Sequence, residues 1–235
     1  MSAILDQLLS IVTNYPGNLT YHLVVSFGIA LALGGAWTSW KAQSVAPFRR
    51  MALGLLALLL FRLALYIATG FMNQTYMGPQ WIMPVLERTI NLLSLFIIIW
   101  LWLTPEPSRP ADSALGLLSL SALAWMGFSL SWWFNQNPET AFNTTWISTA
   151  WDAVGLAVTL LGMVLLYLRK PAGYDFGFGI LILLAAGYLA ELLLAQPASD
   201  YPGLLRLAEM ASYPLLGALP LRYVWASQRV VETKS

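Results

Sequence analysis

The fold is decided by residues 81–104, WIMPVLERTINLLSLFIIIWLWLT, a stretch long enough to cross a lipid bilayer as one helix. From Ile90 onward it is mostly apolar, and its last turns contain two tryptophans, which is typical of a membrane interface. Near its start lie two adjacent charges, Glu87 and Arg88. A rise of about 1.5 Å per residue puts Glu87 inside the hydrocarbon, where a charge costs on the order of 2.5 to 3.5 kcal/mol. We therefore expect these two residues to have partners or a function.

The composition of the whole chain agrees with this segment. Of the 235 residues, 58% are hydrophobic and 10% are charged, and the mean hydropathy is +0.67. Soluble domains carry about 25% charged residues, so the composition indicates a multi-span membrane protein. We expect an all-α seven-transmembrane helix bundle over 19–226, an interfacial segment over 1–18 and a tail over 227–235. The predicted spans are 19–40, 51–71, 81–104, 114–134, 146–168, 175–195 and 203–226.

The placement of lysine and arginine predicts the orientation of this bundle. Of the 12 such residues, three lie in the outer part or the middle of predicted spans: Arg62, Arg88 and Arg206. The others all fall on one side of the membrane: Lys41, Arg49, Arg50, Arg109, Arg169, Lys170, Arg222, Arg229 and Lys234. By the positive-inside rule, we expect the amino terminus outside and the carboxyl terminus in the cytoplasm of a bacterium, with the chain in the plasma membrane.

Ionisable residues inside the spans gather toward the outer side, and we call this set the polar layer. Most lie within about two turns of the outer end of their span, and Arg62 lies deeper. The polar layer consists of Arg62, Glu87, Arg88, Asp152, Glu191, Arg206 and Glu209. His22, at the outer end of the first span, is a further candidate for a ligand or cofactor contact, although a hydrogen-bonded structural role is the more common one.

Three interpretations of the polar layer stay open at this point. The charges pair with one another and hold the helices in register, or they line an outward-open pocket for a small molecule or ion. In the third interpretation they form part of an ion pathway. The third is disfavoured because the inner half of the bundle supplies no continuing relay. Neutralising Arg62, the deepest charge, is expected to destabilise the bundle more than neutralising Arg206.

Several chemistries are excluded or disfavoured by what the sequence lacks. There is no cysteine and one histidine, so we expect no disulfide, metal centre or other cofactor. The last predicted span contains no lysine, which excludes a retinal Schiff base. No nucleophile elbow, phosphate loop or HExxH motif occurs, so we expect no enzyme, and the absence of a basic run argues against nucleic acid as a partner.

Three segments carry a resemblance to a known group: PGNLTYHL, which leads into the first span, PVLERTINLLSL in the third, and RLAEMASYPLLGALPLRY in the seventh. They resemble the amino-terminal seven-helix region of bacterial membrane sensor proteins, particularly sensor histidine kinases and GAF-domain regulators of the Chloroflexota. The resemblance implies an input module whose last helix leads to cytoplasmic signalling domains. It also implies that Glu87, Arg88, Arg206 and Glu209 are typical of the group. In that group, phosphoacceptor, ATP-binding or GAF segments would come after the position of SQRVVETKS, so we expect the output of this chain to come from a partner or from a longer chain.

The leading hypothesis is a non-enzymatic sensor or receptor module, which couples the polar layer to the cytoplasmic end of the last helix. Its partners would be the lipid bilayer, a small-molecule ligand, and a second copy of the chain or a signalling protein. Pro214 and Pro220 make the last helix a plausible bending element. The alternative hypothesis is a structural or assembly subunit of a larger membrane complex, such as an energy-transducing one.

Overall fold

A computed structural model of the chain describes residues 3–13, 18–72, 81–137 and 139–221. These residues form helices, turns and loops, and no β-strand occurs among them. The helices in chain order are α1 (Ala3–Thr13), α2 (Asn18–Gln43), α3 (Ala46–Met72), α4 (Met83–Leu103), α5 (Arg109–Trp133), α6 (Trp146–Arg169), α7 (Tyr174–Leu194) and α8 (Gly203–Ser212). A short 3₁₀ helix, Phe142–Thr144, lies between α5 and α6.

Six of these helices, α2 to α7, are long and apolar enough to cross a membrane. They confirm the all-α class and indicate a membrane protein, and they correspond to the first six predicted spans. Two begin five residues earlier than expected, α3 at Ala46 and α5 at Arg109. Pro47 and Pro110 lie in the first turns of these helices, where proline is tolerated because the backbone N–H groups there have no helical partner.

The last predicted span, 203–226, is not one continuous α-helix over the residues described. Helix α8 ends at Ser212, Tyr213–Gly217 is a 3₁₀ helix, and the description ends at residue 221. Pro214 has no N–H to donate to the preceding turn, so the α-helical hydrogen-bond pattern is interrupted there. The seven-span count and the sides of the termini therefore stay predictions. Arg222, Arg229, Lys234 and the predicted tail lie outside the described residues.

Helix α4 is the central helix of the bundle, and α5 is peripheral. Of the 18 most apolar consecutive residues of α4, which we call its apolar window, 83% are buried, against 11% in the apolar window of α5. Helix α4 packs against α3, α5, α6 and α7, whereas α5 packs mainly against α4. Glu87 and Arg88, which lie in the first half of α4, are therefore surrounded by protein.

The interrupted last helix is approached closely by its neighbours at two glycines. A Cβ added to Gly28 of α2 would lie 2.9 Å from the backbone nitrogen of Pro214. A Cβ added to Gly187 of α7 would lie 2.5 Å from the Cβ of Ala208 in α8. Small residues allow helices in membranes to pack backbone to backbone. These glycines fix the last helical segment against α2 and α7.

Two glycines of α2 provide a matched test of this packing. We expect Gly28→Ala to destabilise the protein by about 1 to 3 kcal/mol, because the added methyl meets the backbone of Tyr213 and Pro214, which cannot rotate away. Gly34→Ala, on the same helix with nothing within 4 Å of the added Cβ, is expected to be neutral or slightly stabilising. Thermal unfolding of both variants in mild detergent measures the difference. Equal melting temperatures would contradict the close approach at Gly28.

Candidate functional site

The deepest part of the polar layer is a cluster built around Arg62 of α3. Its guanidinium donates to Glu209 Oε1 (2.7 Å), to Asn91 Oδ1 (2.9 Å), and to the hydroxyls of Tyr21 (2.8 Å) and Tyr213 (2.5 Å). The Tyr21 hydroxyl in turn donates to Glu209 Oε2. Arg62 has no exposed surface, and Glu209 is 2% exposed. The charge and most of the donors of Arg62 are therefore satisfied inside the protein.

The partners of Arg62 come from different elements and meet at one point of the fold. Tyr21 lies on α2, Asn91 on α4 and Glu209 on α8, while Tyr213 is the first residue of the 3₁₀ helix that follows α8. The guanidinium also lies over the Tyr213 ring, 4.8 Å from its centroid. Arg62 thus holds the last helix on both sides of the position where its α-helical pattern ends.

A second cluster joins Arg206 of α8 to Glu87 of α4. The pair is bidentate, with Arg206 Nε 2.6 Å from Glu87 Oε1 and Nη2 2.5 Å from Oε2. The remaining nitrogen, Nη1, donates to the backbone carbonyl of Val12 at 2.6 Å. Val12 lies in the last turn of α1, where carbonyls have no partner within the helix. The cluster therefore attaches α1 to the bundle.

Aromatic rings cover this second cluster on two sides. The guanidinium carbon of Arg206 lies 4.5 Å from the Tyr201 ring centroid and 5.0 Å from that of Tyr21. Both rings present their faces to a desolvated cation, an arrangement that stabilises buried guanidinium groups. Tyr21 thus contacts the cations of both clusters. Burial raises the pKa of Tyr201, which lies in the connection before α8, to about 12.

The third cluster is organised by Arg88 and reaches into the loops. Its Nη2 donates to Asn143 Oδ1 (2.5 Å) and Ser148 Oγ (2.8 Å), and its Nη1 donates to the carbonyl of Asp200 (3.2 Å). Asp152 is a looser partner, since its Oδ1 lies 4.0 Å from Arg88 Nε. Neither of those two atoms has a hydrogen-bond partner among the described residues. Arg88 therefore binds loop groups more tightly than it binds its carboxylate.

The loop before α6 and the loop after α7 are also joined directly to each other. Asn143 Nδ2 donates to the carbonyl of Tyr201 at 3.0 Å, and the backbone N–H of Phe142 donates to Asp200 Oδ1 at 2.7 Å. Burial raises the pKa of Asp200, an effect that the Phe142 N–H and the nearby Arg88 charge partly offset. The α5–α6 and α7–α8 connections thus form one unit with Arg88.

Glu191 has a different role from the other carboxylates of the polar layer. It lies near the end of α7, and its Oε2 accepts a hydrogen bond from the backbone N–H of Leu204 at 3.0 Å. Leu204 is the second residue of α8. A carboxylate at a helix amino terminus satisfies an unpaired donor and complements the helix dipole. Glu191 therefore fixes the start of α8.

His22 does not have the hydrogen bonds expected for a structural histidine. It is 2% exposed, and neither ring nitrogen has a hydrogen-bond partner among the described residues. Its ring instead packs between Tyr21 and Tyr66, at centroid distances of 4.8 and 5.9 Å. Among the described residues no group of three or more His, Asp or Glu side chains is arranged to hold a metal ion.

A polar cavity of about 300 Å³ lies next to the third cluster, where the loops meet. Its lining includes Trp81, Trp133, Glu139 and Asp200. Asp200 belongs both to this cavity and to the Arg88 cluster, through its backbone carbonyl. A molecule bound in the cavity would therefore contact Asp200, whose backbone carbonyl is hydrogen-bonded to the buried Arg88.

The structure places six of the seven predicted residues of the polar layer in three clusters rather than around one pocket, and the seventh, Glu191, caps α8 instead. The Arg62–Glu209 and Arg206–Glu87 pairs are buried and matched in charge, as the pairing interpretation requires, although Arg62 Nε has no hydrogen-bond partner among the described residues. Sequence reasoning missed Tyr21, Asn143, Ser148 and the backbone acceptors at Val12 and Asp200. For Tyr21 a signal existed, because a polar ring beside His22 lies at the depth of the polar layer. For the loop residues the sequence offers no comparable signal.

We expect Arg62→Gln to destabilise the protein more than Arg206→Gln. Both changes leave a buried carboxylate without its cation, which costs about 3 to 5 kcal/mol. Arg62→Gln also removes the donor to Asn91 and Tyr213, whereas Arg206→Gln removes the donor to a single backbone carbonyl. Melting temperatures in detergent measure the order, with the exposed Arg109→Gln as control. Equal losses for the two buried arginines would contradict the prediction.

A double-mutant cycle separates pairing from burial at the second cluster. We expect Arg206→Met and Glu87→Met each to be strongly destabilising, because each leaves one buried charge alone. The double variant, which buries no charge at this position, should be more stable than either single variant. Additive losses would show that the two residues do not depend on each other.

No protein-family model matches the chain, and neither a curated protein nor a solved structure matches it. Its function is therefore argued from the geometry of the polar layer and the neighbouring cavity.

Proposed function

We propose that the chain is a non-enzymatic sensor module of the bacterial plasma membrane, which couples its outer side to the cytoplasmic end of its last helix. The observation that supports this most directly is the position of Arg62, which binds Glu209 before the end of α8 and Tyr213 just after it. A buried ion pair at a change of helix type is a suitable place for two alternative packings.

In this proposal the chain has seven spans, with the amino terminus outside. The support is the distribution of charge along the helices. The end of the bundle opposite the polar layer is its basic end, with Lys41, Arg49, Arg109, Arg169 and Lys170 exposed there. The positive-inside rule puts such an end in the cytoplasm. The segment after Ser212 then completes the seventh crossing.

Ligand binding enters the proposal through the cavity beside Asp200. A small molecule in this cavity would contact the loop that holds Arg88 and that leads directly into α8. Because Glu191 and Arg206 attach the first turns of α8 to α7 and α4, a shift of this loop would be passed to α8. A ligand with different affinities for two positions of α8 changes their populations.

The resemblance to the input regions of Chloroflexota-type sensor kinases supports the same proposal. In those proteins the output is joined through the last helix, which is the element that the Arg62 cluster holds here. The output would come from signalling domains of a longer chain, from a partner protein or from a homodimer.

A second candidate function is a structural or assembly subunit of a larger membrane complex. It is favoured by the exposure of α5, whose apolar window is only 11% buried. Native mass spectrometry of the protein, purified in mild detergent from its own host, distinguishes the two. Other subunits in fixed ratio would favour the assembly role, and a lone chain or homodimer with a bound small molecule would favour the sensor.

The coupling itself is tested by the distance between spin labels at positions 42 and 221, near the basic end. We expect Glu209→Gln, which weakens the Arg62 pair, to shift or split this distance by about 2 Å, a typical helix displacement in switching proteins. Glu106→Gln, a charge change at an exposed loop residue, is the control. An identical distance distribution in both variants and the native chain would overturn the coupling.

A further inference from the structure

A groove opens between α5 and α6 at the basic end of the bundle, far from the polar layer. The cavity in it has a volume of about 310 Å³. Its floor is α4, through residues such as Ile99 and Trp100, and its walls include Ala114 and Leu118 of α5 and Val158 of α6. The lining is almost entirely apolar, except at one end, where Arg169 and Thr104 lie.

The groove exists because α5 is attached to different neighbours at its two ends. At the end near the polar layer it meets α6 directly. There Trp151 Nε1 donates to Ser129 Oγ at 3.2 Å, and Trp132 packs against Trp146 at a centroid distance of 5.7 Å. These contacts close the space between the two helices at that end.

At the basic end, α5 is attached to α3 and α4 instead. Arg50 of α3 forms an ion pair with Asp112 in the first turn of α5, and Trp100 Nε1 donates to the same carboxylate at 2.9 Å. The Arg50 guanidinium also stacks on the Trp100 ring at 3.9 Å. These contacts hold α5 over α4, so the space toward α6 stays open.

The length of the groove corresponds to one leaflet of a bilayer. On α6 it extends from Val158 to Arg169, which at about 1.5 Å per residue is roughly 16 Å. Half of the hydrocarbon thickness of a membrane is about 15 Å. The groove therefore runs from about the middle of the membrane to the level of the head groups, where Arg169 lies.

Arg169 has the charge that a lipid phosphate would require. It is exposed, and no carboxylate lies within ion-pair distance of it in the part of the chain that the structure describes. Lys170, the next residue in the chain, is also an exposed cation. The apolar groove with an exposed arginine at one end is therefore complementary to a lipid, in which an apolar acyl chain is attached to an anionic head group.

We propose that this groove binds one acyl chain of an anionic phospholipid, with the phosphate at Arg169. The lipid would fill the space between α5 and α6 and fix the position of α5. The site is independent of the proposed sensor function, because none of its residues belongs to the polar layer.

The test is native mass spectrometry of the delipidated full chain in mild detergent, titrated with phosphatidylglycerol or with phosphatidylcholine. We expect one phosphatidylglycerol to be retained in preference to phosphatidylcholine. Arg169→Gln should lower its retention about fivefold, since a cation near an anionic lipid surface contributes about that factor. Arg49→Gln, which removes an exposed charge of the basic end from α3, outside the groove, is the matched control and should leave retention unchanged.

A second pair of variants tests the apolar part of the site. Ala114→Leu fills the groove and should reduce retention of the lipid, whereas Gly116→Leu, at an exposed position of the same helix outside the lining, should not. All four residues are exposed, so none of these changes threatens folding. Equal retention of both lipids, together with insensitivity to Arg169→Gln and Ala114→Leu, would overturn the proposal. Loss of a dimer or a co-purified protein in Ala114→Leu, with lipid retention unchanged, would also overturn it by assigning the groove to a protein contact.

Discussion

The constraint on which the rest of this structure depends is the desolvation of Arg62. A guanidinium buried in a membrane bundle costs several kcal/mol unless its charge and its donors are satisfied by protein. Here Glu209 supplies the charge, and Tyr21, Asn91 and Tyr213 supply acceptors. Because these groups come from α2, α4, α8 and the following 3₁₀ helix, satisfying one residue fixes the mutual positions of four elements.

The same physical rule extends outward through Arg206 and Arg88. Arg206 uses its third nitrogen on a carbonyl of α1, and Arg88 uses its donors on the loops before α6 and α8. Each buried cation therefore attaches a peripheral segment to the central helix α4 or to α8. The polar layer is a set of attachments as well as a set of ion pairs, and the cavity at Asp200 lies at its outer edge.

The two ends of the bundle are built differently, and this difference suggests different functions. At the polar layer, buried charges form hydrogen bonds to every described α-helix except α5, and the adjacent cavity is polar. At the basic end, cations are exposed, and the Arg50–Asp112 pair holds α5 away from α6 and leaves an apolar groove. A polar cavity suits a water-soluble ligand, whereas the groove suits a lipid chain.

The sequence by itself determined the helical class, six long apolar helices within about five residues of their starts, and the burial of the seven charged residues of the polar layer, because apolar length and the rarity of charges within apolar segments are local properties of the chain. It did not determine which charges pair, because the pairs form between helices that are far apart in sequence and depend on how those helices pack. The capping role of Glu191, the two-sided contact of Arg62 with the last helix and the loop acceptors of Arg88 depend on contacts distant in sequence. Likewise, Pro214 in the sequence suggested a bend, but the 3₁₀ helix and its attachment to Arg62 were decided by the tertiary structure, which had to satisfy a buried charge at that position.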